Sequence, residues 1–246
     1  MYNLAFISQA DFEGHVLKTI GEYNEALQGI DLAKFNNNII DPIKLLFDKS
    51  VYGESFDGII DFELQRQRDK TNSNSIGYFH QNIFQYIKGC TVPPHGFDVI
   101  YIDGNGKHVY VEMKNKHNTM NSASSQKTYM KMQSQILKTP NEQCFLVEVI
   151  AKKSQNIAWN CKVDETPMSD ERIRRVSIDQ FYKLVTGIDD AFYQICIQLP
   201  ITITSLINAN KFITAEKDTA LEELKRTNPD MLTALYMLAF KSYEGF

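Results

Sequence analysis

Apolar positions recur through the first 90 residues at helical spacing. Phe12, Val16 and Ile20 stand four apart, giving one apolar helix face. In "DPIKLLF" (41–47), Asp41 falls at an N-cap and Pro42 at the first helical position. Ile76, Phe79, Ile83, Phe84 and Ile87 form another helical stripe, which Gly89 closes. The period then shortens to two. A short strand at 90–92 is followed by "DVIYI" and "HVYVEMK", two strands around a glycine-rich turn. Residues 124–137 are polar, with Tyr129, Met132 and Ile136 on one side, as for a helix lying on a sheet. "CFLVEVI" (144–150) is nearly all apolar and suits an interior strand. Further strands are expected at 157–163 and 173–176. Ser177 is placed to cap the helix "IDQFYKLVTG", which ends at Gly187. Beyond Asp189 the chain reads helical, punctuated by Pro200 and Pro229.

This order predicts one α/β domain over residues 1–246: mainly helical at 1–89, an α/β core at 90–187, and helical again at 188–246. With 43% apolar residues the chain can bury a sizeable core. Its formal charge of −4 argues against an unstructured polybasic binder but not against a local basic cleft. Cys90, Cys144, Cys161 and Cys196 are widely spaced, without a ligand pattern, and read as reduced structural thiols. The start lacks the pattern of a signal peptide, and apolar runs such as "CIQLPITITSLI" are too short and too polar to span a bilayer. A soluble protein of the cytoplasm, without a membrane partner, is the expectation.

The chemistry gathers on the two central strands. Glu112 and Lys114 are two apart, so both side chains leave one face, whereas Val109, Val111 and Met113 supply the other. If Gly104–Gly106 form a three-residue loop, Asp103 pairs with Lys107 and Asp98 falls opposite Glu112. A loop one residue shorter or longer would separate the two carboxylates. Such a pair suits Mg²⁺, which takes one or two carboxylates, waters and phosphate oxygens, with the Met113 carbonyl as a further oxygen ligand. Lys114 would stabilise charge on phosphorus and orient or deprotonate a water. Asp-x(n)-Glu-x-Lys on adjacent strands is the signature of PD-(D/E)xK nucleases. On the pattern alone, a solvated charge pair at a strand edge stays open.

The run "GFDVIYIDGNGKHVYVEMKNKHNTMNSAS", with "AWN" at 158–160 and "RVSIDQFYKLVTGIDDAF" at 175–192, resembles the type II restriction endonucleases that cut GGNCC. The resemblance extends from the N-terminal helices to about residue 200. It implies a PD-(D/E)xK restriction-endonuclease-like core, a central mixed sheet flanked by helices, with helical N- and C-terminal additions. It further implies Mg²⁺-dependent cutting of double-stranded DNA at GGNCC, or the narrower GGWCC, by a homodimer in a prokaryotic cell. By position, Asp98 and Glu112 become metal ligands and Lys114 the catalytic lysine. Phe97 stands where the motif's name has proline.

Around this centre, residues 115–127 hold no acid and are rich in amides, hydroxyls and bases. Asn115, Lys116, His117, Asn118, Asn121, Ser124, Ser125 and Lys127 are therefore candidates to touch DNA. Arg172, Arg174 and Arg175 are candidates to read guanines. Glu54, Asp57, Asp61 and Glu63 could add an acidic ligand from an upstream helix, Glu63 being preferred. His80, in an apolar stripe, reads as a core histidine, and Trp159 as packing. Two rival readings remain: a repair nuclease of the same fold that cuts by DNA shape or damage, and a non-catalytic DNA-binding module.

Overall fold

A computed structural model describes residues 2–117, 119–139, 141–210 and 216–241. The chain falls into two compact units, Met1–Ile20 with Ile76–Asn210, and Gly21–Ser75 with Lys211–Phe246. In chain order the helical N-terminal part holds α1 (Gln9–Glu25), α2 (Leu32–Asn36), α3 (Pro42–Tyr52) and α4 (Phe56–Asn82). A 3-10 turn (Ile83–Tyr86) leads into β1 (Cys90–Thr91), β2 (Val99–Ile102) and β3 (His108–Lys116). Then come α5 (Ser122–Lys138), β4 (Gln143–Ile150), β5 (Asn156–Ala158), β6 (Cys161–Val163), β7 (Thr166–Met168) and β8 (Ile173–Ser177). The chain finishes with α6 (Ile178–Thr186), α7 (Ala191–Ala209), α8 (Ala220–Thr227) and α9 (Met231–Phe240).

The first unit is built on a mixed sheet of order β1-β2-β3-β4-β8-β5, in which β3, β4 and β8 run parallel. This is the mixed sheet flanked by helices expected of a restriction-endonuclease-like core. One sheet face, carrying Val99, Val109, Val111, Met113, Phe145, Val147 and Val176, is buried together with Phe12, Phe84, Phe181 and Tyr182. The other face carries Cys144, Leu146 and Ile173, which pack under Tyr129, Met132 and Ile136 of α5. Both faces of β4 are thus covered, which is why its sequence is almost wholly apolar. In the second unit, Phe35, Leu45, Ile59, Ile60, Leu64, Leu224 and Leu235 form a separate helical core. A two-pronged ion pair, Arg68 to Asp218 at 2.5 and 3.0 Å, ties the two chain segments of that unit together.

Local signals behave as their chemistry dictates at several ends. Asp41 caps α3 by accepting from the Ile43 and Lys44 amides at 3.1 and 3.0 Å. Gly187 ends α6 with φ 72°. Other expectations are corrected. Ser177 precedes α6 but does not cap it with its hydroxyl, which instead accepts from the Gln155 amide and donates to the Gln155 carbonyl. The strand expected at 157–163 divides at Trp159–Asn160: β5 joins the main sheet, whereas β6 pairs with β7 in a separate hairpin. That hairpin turns on Asp164 and Glu165, both at positive φ, so no glycine announces it. Pro200 does not end a helix but lies inside α7. Ile195, Gln198 and Thr202 are buried on either side of it, and this packing carries the helix across the lost amide. At 19 residues, α7 is also long and apolar enough by composition to cross a bilayer, contrary to the sequence reading. Its inner positions pack into the core of the first unit, as in a core helix.

The β2–β3 turn is the element that positions the site. The Asp103 amide donates to the Lys107 carbonyl, and Gly106, at φ 79°, closes the three-residue loop. A Cβ at residue 106 would meet no atom within 4 Å, so the demand for glycine is one of backbone conformation alone. Gly106→Ala is accordingly expected to lower stability by about 1 kcal/mol in urea denaturation. An unchanged midpoint would contradict this account of the turn.

Candidate active site

The turn sets Val99 opposite Val111 and Ile102 opposite His108, the register in which residue numbers on the two strands sum to a constant. Continued by one step, it would place Asp98 squarely opposite Glu112. The chain departs slightly from this. The Asp98 amide donates to the carbonyl of Val111 at 2.9 Å, so residues 98 and 99 both face Val111. This is the two-against-one relation of a β-bulge, a device that re-aims a side chain at a strand end. The Asp98 carboxylate is turned to accept from the Met113 amide at 2.7 Å. A residue's amide and carbonyl leave a strand on the same side, so the Met113 carbonyl faces this edge too, beyond the point where β2 begins.

Glu112 is 9% exposed and meets Lys131, which reaches across from α5. Lys131 also donates to the Gly96 carbonyl at 2.6 Å and lies 4.4 Å from the centre of the Phe97 ring. Burial raises the Glu112 pKa above its ordinary value, and the charge of Asp98 adds to this, while Lys131 and Lys114 pull it down. Lys114 forms no ion pair among the described residues. The centre thus holds two carboxylates, a backbone carbonyl and a lysine that is not committed elsewhere.

This donor set can be tested against a divalent ion. Among the described residues no group of three or more His, Cys, Asp or Glu side chains forms a self-sufficient metal cage. Two carboxylates and a carbonyl are all oxygen, which suits a hard ion that keeps waters and borrows ligands from a phosphate. They fit Mg²⁺ and do not fit a structural zinc.

Next to Lys114 in the sheet register stands Glu148 of β4, the one charged residue in "CFLVEVI" and not among the candidates that the sequence offers. It is 1% exposed, accepts from Arg175 at 2.5 and 2.9 Å, and lies 3.0 Å from the His117 ring nitrogen Nδ1. Glu148, Arg175, Lys116, Ser125, Trp159 and Asn160 line a cleft of about 250 Å³ on this side of the sheet. A charged residue inside "FLVEV" was the available signal, because a buried carboxylate needs partners that the same strand cannot provide.

The remaining candidates are dispersed. Asn115 leaves the strand on the face opposite Lys114, against Gly77 of α4. Asn121 caps α5 by accepting from the Ser124 amide at 2.8 Å, and Ser124 and Lys127 are exposed on that helix. Asn118 lies outside the described residues. Arg172 is held by Asp170 at 2.8 Å, and Arg174 by Asn156 at 2.5 Å, so the three arginines do not form one cluster. Glu63 sits in the second unit, where its carboxylate accepts from Arg66 and Gln67 of its own helix. Trp159 packs edge-on against Tyr129, 5.4 Å between ring centres.

Comparison with known proteins bears on this geometry. A family model described as Eco47II restriction endonuclease matches residues 4–208. The type II restriction enzyme Sau96I of Staphylococcus aureus is 36% identical over 217 residues, 85% of this chain and 82% of that protein. The type II restriction enzyme Eco47II of Escherichia coli is 27% identical over 185 residues, 71% of this chain and 76% of that protein.

Two outcomes follow from the electrostatics. Because the folded state raises the Glu112 pKa, it binds that proton more tightly than the unfolded chain does. The stabilising contribution is full below the unfolded value and is lost as pH rises through the folded one. Metal-free Glu112→Gln should therefore melt no lower than wild type at pH 8, with any gain shrinking as pH falls toward the carboxylate range. A clear loss of melting temperature at pH 8 would refute it. Glu148→Ala strips Arg175 and His117 of their buried carboxylate partner and is expected to cost about 3 kcal/mol in denaturant unfolding. A cost below about 1 kcal/mol would show that the network contributes little.

Proposed function

The chain belongs to the Eco47II restriction endonuclease family and is a type II site-specific DNA endonuclease, and from that premise we propose that it makes Mg²⁺-dependent cuts in both strands at GGNCC or the narrower GGWCC. The single observation that carries the reading of the site is the convergence of Asp98, Glu112 and Lys114 at one end of the β2–β3 pair. Enzymes of this class act on double-stranded DNA and generally use divalent metal ions. Asp98, Glu112 and the Met113 carbonyl would hold the ion, which when bound polarises the scissile phosphate and acidifies water.

The chain's own residues do the rest. Asp98 is aimed by the Met113 amide, so its free oxygen is fixed before substrate arrives. Lys114, on the same face as Glu112, is free of ion pairs among the described residues and is the group to orient the attacking water and meet the charge that builds on the phosphate. Water attacks in line, its oxygen bonding to phosphorus as the bond to the 3′-oxygen breaks, leaving 5′-phosphate and 3′-hydroxyl ends. Lys116, Ser125 and Arg175 in the adjoining cleft are the candidates that fit a contact with DNA best, through phosphate oxygens and base edges. A palindromic site calls for two-fold symmetry, so the working form is a homodimer with one centre per strand, acting in the cytoplasm of a prokaryotic cell.

Unmethylated plasmid DNA incubated with the protein and Mg²⁺ should yield discrete fragments whose sequenced ends all lie at GGNCC. Glu112→Ala and Lys114→Ala should each lower the rate at least a hundredfold, the order expected when an electrostatic partner of the transition state is lost. Ends scattered without a common sequence, or cutting only at lesions, would transfer the site to a repair nuclease. Full activity of both variants would place the chemistry elsewhere.

A further inference from the structure

Lys131 is not one of the three motif residues, yet it pairs directly with one of them. It reaches from the middle of α5 onto the Glu112 carboxylate, the group assigned above to the metal. Two further partners fix its path: the Gly96 carbonyl at 2.6 Å and the face of the Phe97 ring at 4.4 Å. Gly96 and Phe97 immediately precede Asp98, so the lysine is held between the backbone leading into one carboxylate and the side chain of the other. The residue that replaces the motif's proline thereby has a use as the aromatic wall of a cation's seat.

An arrangement of this kind answers a definite electrostatic problem. Asp98 accepts from the Met113 amide, one residue beyond Glu112, so two carboxylates share one strand end, and Glu112 is 9% exposed. Without a divalent ion such a pair repels. Lys114 stands on the same face but is not paired with either carboxylate. We propose that Lys131 is the site's internal counter-ion, occupying the Glu112 carboxylate in the metal-free enzyme and giving way when a divalent ion enters. The side chain is 38% exposed, so it can leave without disturbing the core beneath α5. The Gly96 carbonyl and Phe97 ring keep the displaced ammonium at the rim. Lys131 is thus a positioning residue that sets how tightly the site takes its metal, distinct from Lys114, which faces the phosphate. The inference rests on Glu112 being a metal ligand.

Metal binding without DNA separates the two ideas. Titration of Mn²⁺ or Ca²⁺ into wild type, Lys131→Met and Glu112→Gln is followed by calorimetry at pH 8, with melting curves in EDTA to confirm folding. Lys131→Met should bind the ion about fivefold more tightly, the equivalent of roughly 1 kcal/mol, and show a larger rise in melting temperature on adding metal. Lys131→Arg, which keeps the positive charge, should stay near wild type. Unchanged or weaker binding by a folded Lys131→Met, with Glu112→Gln losing the ion, would overturn the counter-ion role and leave Glu112 as ligand. Undiminished binding by Glu112→Gln would remove the metal assignment itself and this inference with it.

Discussion

The register of β2 against β3 is the constraint on which the site depends. Residues alternate sides along a strand, so one extra residue in the Gly104–Gly106 loop would send Glu112 and Lys114 to the face now occupied by Val111 and Met113. The loop is closed by a glycine in the left-handed region and by the carboxylate of Asp103, which accepts from the Asn105 and Lys107 amides at 2.8 and 2.9 Å. Asp98 then departs from the regular ladder by one hydrogen bond, and its carboxylate is caught by the Met113 amide. Register brings the carboxylates near each other, and the bulge aims them.

β3 is asked to do two things at once, and its composition shows how. One face is Val109, Val111 and Met113, buried in the larger core of the first unit. The other carries Glu112 and Lys114 toward α5, where the apolar contacts of Tyr129, Met132 and Ile136 end and polar ones begin. Charge held in so sheltered a place costs stability, and the molecule offsets part of it with Lys131 beside Glu112 and with Arg175 and His117 around Glu148. These pairs gather toward the carboxyl ends of the parallel strands β3, β4 and β8, where α/β sheets generally present ligand sites.

Much of this was legible in the sequence where a local rule decides the outcome. The switch from helical to alternating spacing after Gly89, the cap at Asp41, the three-residue loop and the apolar β4 each follow from short-range chemistry, and the structure has them all. What escaped depends on partners far along the chain. Nothing near Glu148 shows that Arg175 will reach it, and nothing near Lys131 shows that Glu112 lies above it. The β6–β7 hairpin escaped because Asp164 and Glu165 adopt a turn that glycine usually marks. Pro200 misled because packing on both flanks outweighed a local breaker. The run of polar residues after Lys114 looked like one DNA-contacting surface, yet Asn115 and Asn121 are spent within the fold while Lys116 and Ser125 line the cleft.

In the proposed site one strand end gathers two carboxylates and a backbone carbonyl around a single metal ion, with Lys114 beside it. Anomalous diffraction from crystals soaked in Mn²⁺ tests this most directly. A peak is expected within bonding distance of the Asp98 and Glu112 carboxylates and the Met113 carbonyl, with Lys131 withdrawn from Glu112. A peak confined to other carboxylates, or well-ordered soaked crystals with Lys131 still on Glu112 and no peak beside it, would rule this site out.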